Sequence, residues 1–164
     1  MKFKMNPNRA YLLGLWKSRK TKSGVGVEGR RELVEVFAKT CLDEKLALPN
    51  KMQYKEGALH SCFFYNSALK AWLQEELGKR EERLRYKNEF SANYFAGLFD
   101  ARGGWQESSL GMKIPFVIAD KVDEIVLLRL GFRVKRQKGV LAMLSPDFYS
   151  FIEPYLKLEI SRQR

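Results

Sequence analysis

The sequence is short of the residues that build redox and metal chemistry. Two cysteines, Cys41 and Cys62, and one histidine, His60, are all that 164 residues contain. With no Cys-x-x-Cys pattern, this excludes a disulfide framework and any cage of thiols and imidazoles around a metal; both thiols are expected to be reduced and buried. Long apolar runs are missing as well. The run Ile125 to Leu128 is broken by Arg129, far below the ~20 residues that a membrane span requires. No apolar segment follows the basic start Met1-Lys2-Phe3-Lys4, so the expectation is a soluble, unexported, cytoplasmic protein. Negative charge is also scarce. Against 30 Lys and Arg there are 19 Asp and Glu, a net charge of +11.

What is present is enough for a packed core: 45% of residues are hydrophobic and 13% aromatic, which argues against wholesale disorder. The length suits one compact domain, or two small halves sharing a core. A surplus of eleven positive charges destabilises a compact chain by self-repulsion unless a polyanion neutralises it. Nucleic acid fits that requirement. An anionic membrane surface fits less well, because it favours one amphipathic helix with a basic face, whereas the basic residues here are spread over several elements. Solubility alone is the bland explanation for the charge.

Local patterns divide the chain into two similar halves. Asn6-Pro7-Asn8 has helix-start chemistry, and Tyr11, Leu12, Leu15 and Trp16 follow at helical spacing, predicting a helix over about 7–18. A basic stretch, Lys17 to Lys22, leads to a strand between Ser23 and Gly29 that glycines weaken. Leu33, Val34, Phe37, Cys41 and Leu42 place a second helix over 30–45. Residues 51–55 and 59–63 read as a hairpin, and Ser67 as the cap of a helix carrying Leu69, Trp72, Leu73 and Leu77. After a mixed-charge linker the order returns: a helix over 91–102, two strand-like stretches between Gly104 and Phe116, a helix over 119–130, a hairpin turned at Lys138-Gly139, and a last helix opened by Ser145-Pro146-Asp147. The expected domains are a first repeat over 1–78, a linker over 79–90 and a second repeat over 91–164. Each repeat is expected to run αββαββα in an α+β fold.

The duplication is visible in an ungapped alignment. Tyr11-Leu12-Leu13-Gly14-Leu15-Trp16-Lys17-Ser18-Arg19 lies against Tyr94-Phe95-Ala96-Gly97-Leu98-Phe99-Asp100-Ala101-Arg102, with tyrosine, glycine, leucine and arginine shared. Trp72 falls opposite Phe151 further on, and both are expected in the core. Gly14 and Gly97 remove side-chain bulk from one face of each helix, which lets two helix backbones approach closely.

Phe95 to Gly103 resembles the signature of the LAGLIDADG homing endonucleases, and Leu12 to Lys20 resembles a degenerate first copy. With the duplicated order of elements, the resemblance extends over nearly the whole chain and is to the single-chain, pseudo-twofold members of that family. It implies two motif helices side by side at the centre and two saddle-shaped sheets lying along a DNA major groove. It also implies Mg²⁺ held by an acidic residue at the second-to-last position of each motif.

Those two positions are Arg19 and Arg102. Hard cations take oxygen ligands, and a guanidinium has no lone pair to offer. Replacing carboxylates with guanidiniums repels a metal and attracts phosphate directly. The expectation is therefore a site without catalytic residues and without a metal cofactor. Asp100, the residual motif carboxylate, stands one step too early to be the ligand of the family pattern and faces Lys17 in the alignment; a hydrogen-bonding role at the helix end is expected. Glu28 and Glu107 are the acids that would have to move inward to rebuild a metal site.

On the strands, alternation puts Lys51, Gln53 and Lys55 on one face of the first hairpin, and Arg133 and Lys135 on one face of the second. Gln106, Lys113 and the cluster Lys17, Arg19, Lys20 and Lys22 extend the basic surface, with Arg102 at its centre. Lysine and arginine there suit phosphates, while glutamine and arginine suit base edges. Trp105 is expected to pack into the core, and His60 to sit on a strand surface. The function expected is that of a monomer binding double-stranded nucleic acid without cutting it, with DNA favoured over structured RNA by the resemblance. An active Mg²⁺-dependent endonuclease with relocated ligands, an RNA-binding ribonucleoprotein component and a protein-interaction module are the competing functions.

Overall fold

The structure, a computed structural model, describes residues 2–162. Met1 in the first predicted repeat, and Gln163 and Arg164 in the second, lie outside the described residues. The chain opens with α1 (Pro7–Arg19), where Pro7 occupies the first turn and the Asn6 side chain accepts from the Arg9 amide at 2.8 Å. Its counterpart, α5 (Glu89–Arg102), starts two residues before the predicted boundary because Asn88 and Ser91 form a reciprocal capping box there.

Between them lie β1 (Val25–Gly29), α2 (Arg31–Asp43), β2 (Gln53–Lys55), β3 (His60–Phe64), α3 (Ser67–Gly78) and the short α4 (Arg80–Arg83). After α5 come β4 (Gly104–Glu107), β5 (Lys113–Ile118), α6 (Lys121–Arg129), β6 (Val134–Gln137), β7 (Val140–Met143) and α7 (Phe148–Ile152). Asn66, not Ser67, caps α3, its side chain accepting from Leu69 N at 3.0 Å. Both sheets are antiparallel, in the orders β1-β3-β2 and β4-β5-β7-β6.

The sheets correspond once one difference is recognised. The first repeat has three strands where four were predicted, and the missing edge survives as a single bridge, Lys20 to Val27, with Thr21 N donating to Gly26 O at 3.1 Å. Helix α1 continues through Arg19, and the Thr21 hydroxyl closes a tight turn on Ser23 O at 2.9 Å, leaving no length for a strand. The bridge, β1, β3 and β2 then take the places of β4, β5, β7 and β6.

The two motif helices form the centre. A Cβ placed on Gly14 would stand 2.2 Å from Tyr94 O and 3.0 Å from Leu98 N; one on Gly97 would stand 2.2 Å from Tyr11 O and 2.9 Å from Leu15 N. The contacts are reciprocal about a pseudo-twofold axis. Trp16, Tyr11, Tyr94, Phe95 and Phe99 are fully buried around this contact, and Phe37, Phe64, Phe132 and Phe148 continue the core into each half. Trp72 and Phe151, expected in the core, are only half-buried; they rim it against Phe3 and Phe132, at 5.6 Å and 5.3 Å between ring centroids. Cys41 and Cys62 are buried and free, and burial pushes both thiols up.

The stretch read as a charged linker is folded. Leu84 is buried, and so is Arg80, whose guanidinium donates to Asp123 Oδ1 at 2.6 Å and to both oxygens of Asp120 at 3.0 and 3.1 Å. Lys17 reaches the same two acids at 3.2 and 3.0 Å, and the Tyr94 hydroxyl donates to Asp123 Oδ1 at 2.6 Å. First repeat, connection and second repeat thus meet in one ionic cluster.

Candidate nucleic-acid interface

Helices α1 and α5 end side by side at Arg19 and Arg102. The two arginines, with Arg30 and Lys113, line a cleft of about 890 Å³ whose floor includes Gly103, Gly104 and Phe116. Arg19 Nε donates to Ala101 O at 3.1 Å, so the guanidinium satisfies a terminal carbonyl of the neighbouring helix and complements its dipole. Burial lowers the Arg19 pKa, the nearby Arg102 and Arg30 charges lower it further, and only Glu28 opposes them. A guanidinium remains protonated under such pressure. The cleft is therefore a concentration of positive charge held in place by the fold.

Asp100 lines the same cleft but is turned inward. The Tyr11 hydroxyl donates to its Oδ2 at 2.6 Å, and the Lys157 amide to the same oxygen at 2.8 Å. Burial raises its pKa, with Ser161, Tyr11 and the Lys157 and Leu158 amides acting in the opposite direction. Its role is to tie the C-terminal segment to the two central helices. Glu28 lies exposed on β1, and Glu107 on β4 opposite Lys113. Among the described residues no three His, Cys, Asp or Glu side chains come together. Two guanidiniums at the helix ends, a third beside them and an engaged Asp100 do not fit a divalent cation.

Several solved structures share this architecture. A mesophilic variant of the homing endonuclease I-DmoI aligns with a TM-score of 0.64 and 20% identity over 94% of this chain and 97% of that one. I-DmoI in complex with DNA and Mn aligns at 0.61 and 19% identity, over 93% and 98%. The N-terminal LAGLIDADG domain of DUF199/WhiA aligns at 0.57 and 9% identity, over 99% and 90%. The chain has a LAGLIDADG-like fold. No protein-family model matches the sequence, and no curated protein matches it significantly.

Within the LAGLIDADG-like fold, strand parity separates inward from outward positions. In the first sheet Cys62 and Phe64 point into the core, so Ser61, Phe63, Gln53, Lys55, Gly26 and Glu28 share the outward face. In the second, Val117 and Leu141 point inward, so Gln106, Phe116, Ile118, Lys135 and Gln137 face outward. Gln53, Lys55, Gln106 and Lys135 thus lie on outward faces, and Arg19, Arg102 and Lys113 on the central cleft.

Other candidates fall elsewhere. Lys51 ends a 3-10 turn before β2, and Arg133 precedes β6, its amide donating to Ser145 Oγ at 2.7 Å. Lys22 is exposed in the turn before β1. Lys20 turns its ammonium over the Trp16 ring at 5.2 Å. Lys17, placed with the phosphate contacts by its position in the basic run, is half-buried and committed to Asp120 and Asp123; those acids lie too far along the chain for local sequence to pair them with it. Trp105 packs on Tyr149 at 4.7 Å and on Phe99 at 6.1 Å. Arg30 and Gln137 escaped the sequence reading, Arg30 because it was counted as the first residue of the second helix, whereas the structure makes it the residue before α2, beside the cleft, and Gln137 because it ends the hairpin strand next to the turn.

Proposed function

We propose that this chain is a monomeric double-stranded DNA-binding protein that holds its target without cutting it. The observation that carries this reading is the guanidinium pair, Arg19 and Arg102, at the ends of the two central helices, where it lines one cleft with Arg30 and Lys113. Such a cluster binds phosphate oxygens by charge-assisted hydrogen bonds and offers nothing to a Mg²⁺ ion or an attacking water. DNA is preferred to RNA because I-DmoI, of similar fold, is known in complex with it. One chain supplies both halves of the clamp, so no second copy is required.

Binding of this kind releases condensed counterions, and the logarithm of the affinity falls linearly with the logarithm of salt concentration, with a slope near −0.9 per phosphate neutralised. A gel-shift titration on random-sequence duplex DNA over a salt series is expected to show that linear fall. A flat salt response overturns the reading. Retention of RNA but not of DNA of equal length overturns the choice of DNA, and nicking of supercoiled DNA that requires Mg²⁺ or Mn²⁺ overturns the claim of non-cleavage.

A further inference from the structure

The outward face of the first sheet carries an aromatic pair of which Phe63 is buried and Tyr65 is not. Phe63 is on that face by strand parity, and Tyr65 stands just past the end of β3, 67% exposed. The rings are set at 81° with centroids 5.8 Å apart, an edge-to-face pair that fixes the tyrosine without stacking it on another ring. Two glycines make room beneath them. A Cβ on Gly26 would stand 2.3 Å from Phe63 Cβ, and one on Gly24 would stand 2.6 Å from Phe64 O and 3.3 Å from Tyr65 Cδ1. Gly24 also has φ +68°, a conformation that glycine adopts without strain. Gly26 in β1 and Gly24 just before it thus leave bare backbone against the aromatics.

A cation stands against the pair. Lys55 holds its ammonium 5.3 Å over the Phe63 ring, and Lys22 lies exposed in the turn that leads to Gly24. An exposed ring packed beside a cation-bearing ring is complementary to an anion that carries a flat aromatic face. In nucleic acid that description fits a base and its phosphate. A base inside a duplex already has both faces stacked on its neighbours; only an unpaired or displaced base can offer one.

We propose that Tyr65, supported by Phe63 and with Lys55 beside that ring, is a stacking platform for one unpaired base of a bound DNA. The proposal rests on the DNA-binding reading and adds to it a structural preference, for duplexes with a bulged or displaced nucleotide over fully paired ones.

The test compares two DNA duplexes of the same sequence, one fully paired and one carrying a single unpaired 2-aminopurine. The wild-type protein is expected to bind the second about tenfold more tightly and to quench its fluorescence. Tyr65→Ala is expected to abolish the preference and the quenching while leaving the salt slope unchanged, since no charge is lost; Tyr65→Phe, which keeps the ring, is expected to retain both. Because Tyr65 is largely exposed, removing it leaves the core intact, and an unchanged thermal midpoint verifies this. Equal binding of the two duplexes by the wild type, or a preference that survives Tyr65→Ala, overturns the platform and leaves the DNA-binding reading standing. Binding of neither duplex overturns both.

Discussion

Gly14 and Gly97 set how closely the two halves approach. Alanine is ordinarily a better helix residue than glycine by about 1 kcal/mol, so helix propensity alone favours replacing either one. Packing decides otherwise, because the added methyl of Gly97→Ala would sit 2.2 Å from Tyr11 O, a backbone atom that cannot rotate away. Overpacking of this kind costs about 3 kcal/mol or more, for a net loss of about 2 kcal/mol measured as a fall in the urea midpoint. Gly78→Ala is the matched control. A Cβ there meets nothing within 4 Å, so that variant is expected to match the wild type or exceed it slightly, and an equal loss at both sites would show that the central contact is looser than described. These glycines were legible in the sequence, because their matching places in two copies of one segment gave them a shared reason. Asp100 and Lys17 were legible only in part. The alignment put them at equivalent positions, but not that one turns inward to Tyr11 and the Lys157 amide, while the other turns to Asp120 and Asp123.

At the scale of elements, the short helix α4 joins the repeats through charge. Burial pushes the Asp120 carboxyl up, but the hydrogen bonds from Arg80 and from the Asp123 amide, with the charges of Lys17 and Arg80, outweigh it and hold the group well below the usual carboxylate range. A depressed folded-state pKa contributes stability that is present above the unfolded value of 3.8 and lost as pH falls below it. Asp100, with its pKa raised mainly by burial, works in the opposite sense: its contribution is present at low pH and lost as pH rises through its folded value. Thermal melts between about pH 5 and pH 2 are therefore expected to show a loss of stability on acidification, and Asp120→Asn is expected to flatten it. An identical acid profile in that variant would remove Asp120 from the cluster's pH response. None of this was visible in the stretch from Gly78 to Lys87, where mixed charge and few apolar residues read as a solvated connection. Arg80 is buried because Asp120 and Asp123 reach it from α6, a pairing across about forty residues that no local pattern encodes. The lost edge strand has the same origin: the helix expected over about 7–18 runs on through Arg19, and only the three-dimensional turn at Thr21 to Ser23 shows that no room is left for a strand.

For the whole molecule, the net charge of +11 agrees with the proposed polyanion partner but does not say where one would lie. The fold sorts the basic residues into two populations. Arg19, Arg30, Arg102 and Lys113 surround the central cleft with little opposing charge, whereas Lys17 and Arg80 are used up inside by Asp120 and Asp123. Charge counted on the sequence treats the two alike; the fold does not. The variant Arg19→Ala with Arg102→Ala is expected to reduce the magnitude of the salt slope by about two units, because each guanidinium answers to one phosphate, with a modest fall in the thermal midpoint from the lost bond to Ala101 O. Lys17→Ala removes one charge of the same sign a turn or less from Arg19, yet it is expected to leave the slope as it was and to lower stability by about 1 to 3 kcal/mol, because a buried carboxylate loses a cation while Arg80 still holds it. If Lys17→Ala instead lowers the slope, that lysine reaches DNA and the ionic cluster opens on binding. If the arginine pair can be removed without changing the slope, the polyanion is gripped somewhere other than the pseudo-twofold axis.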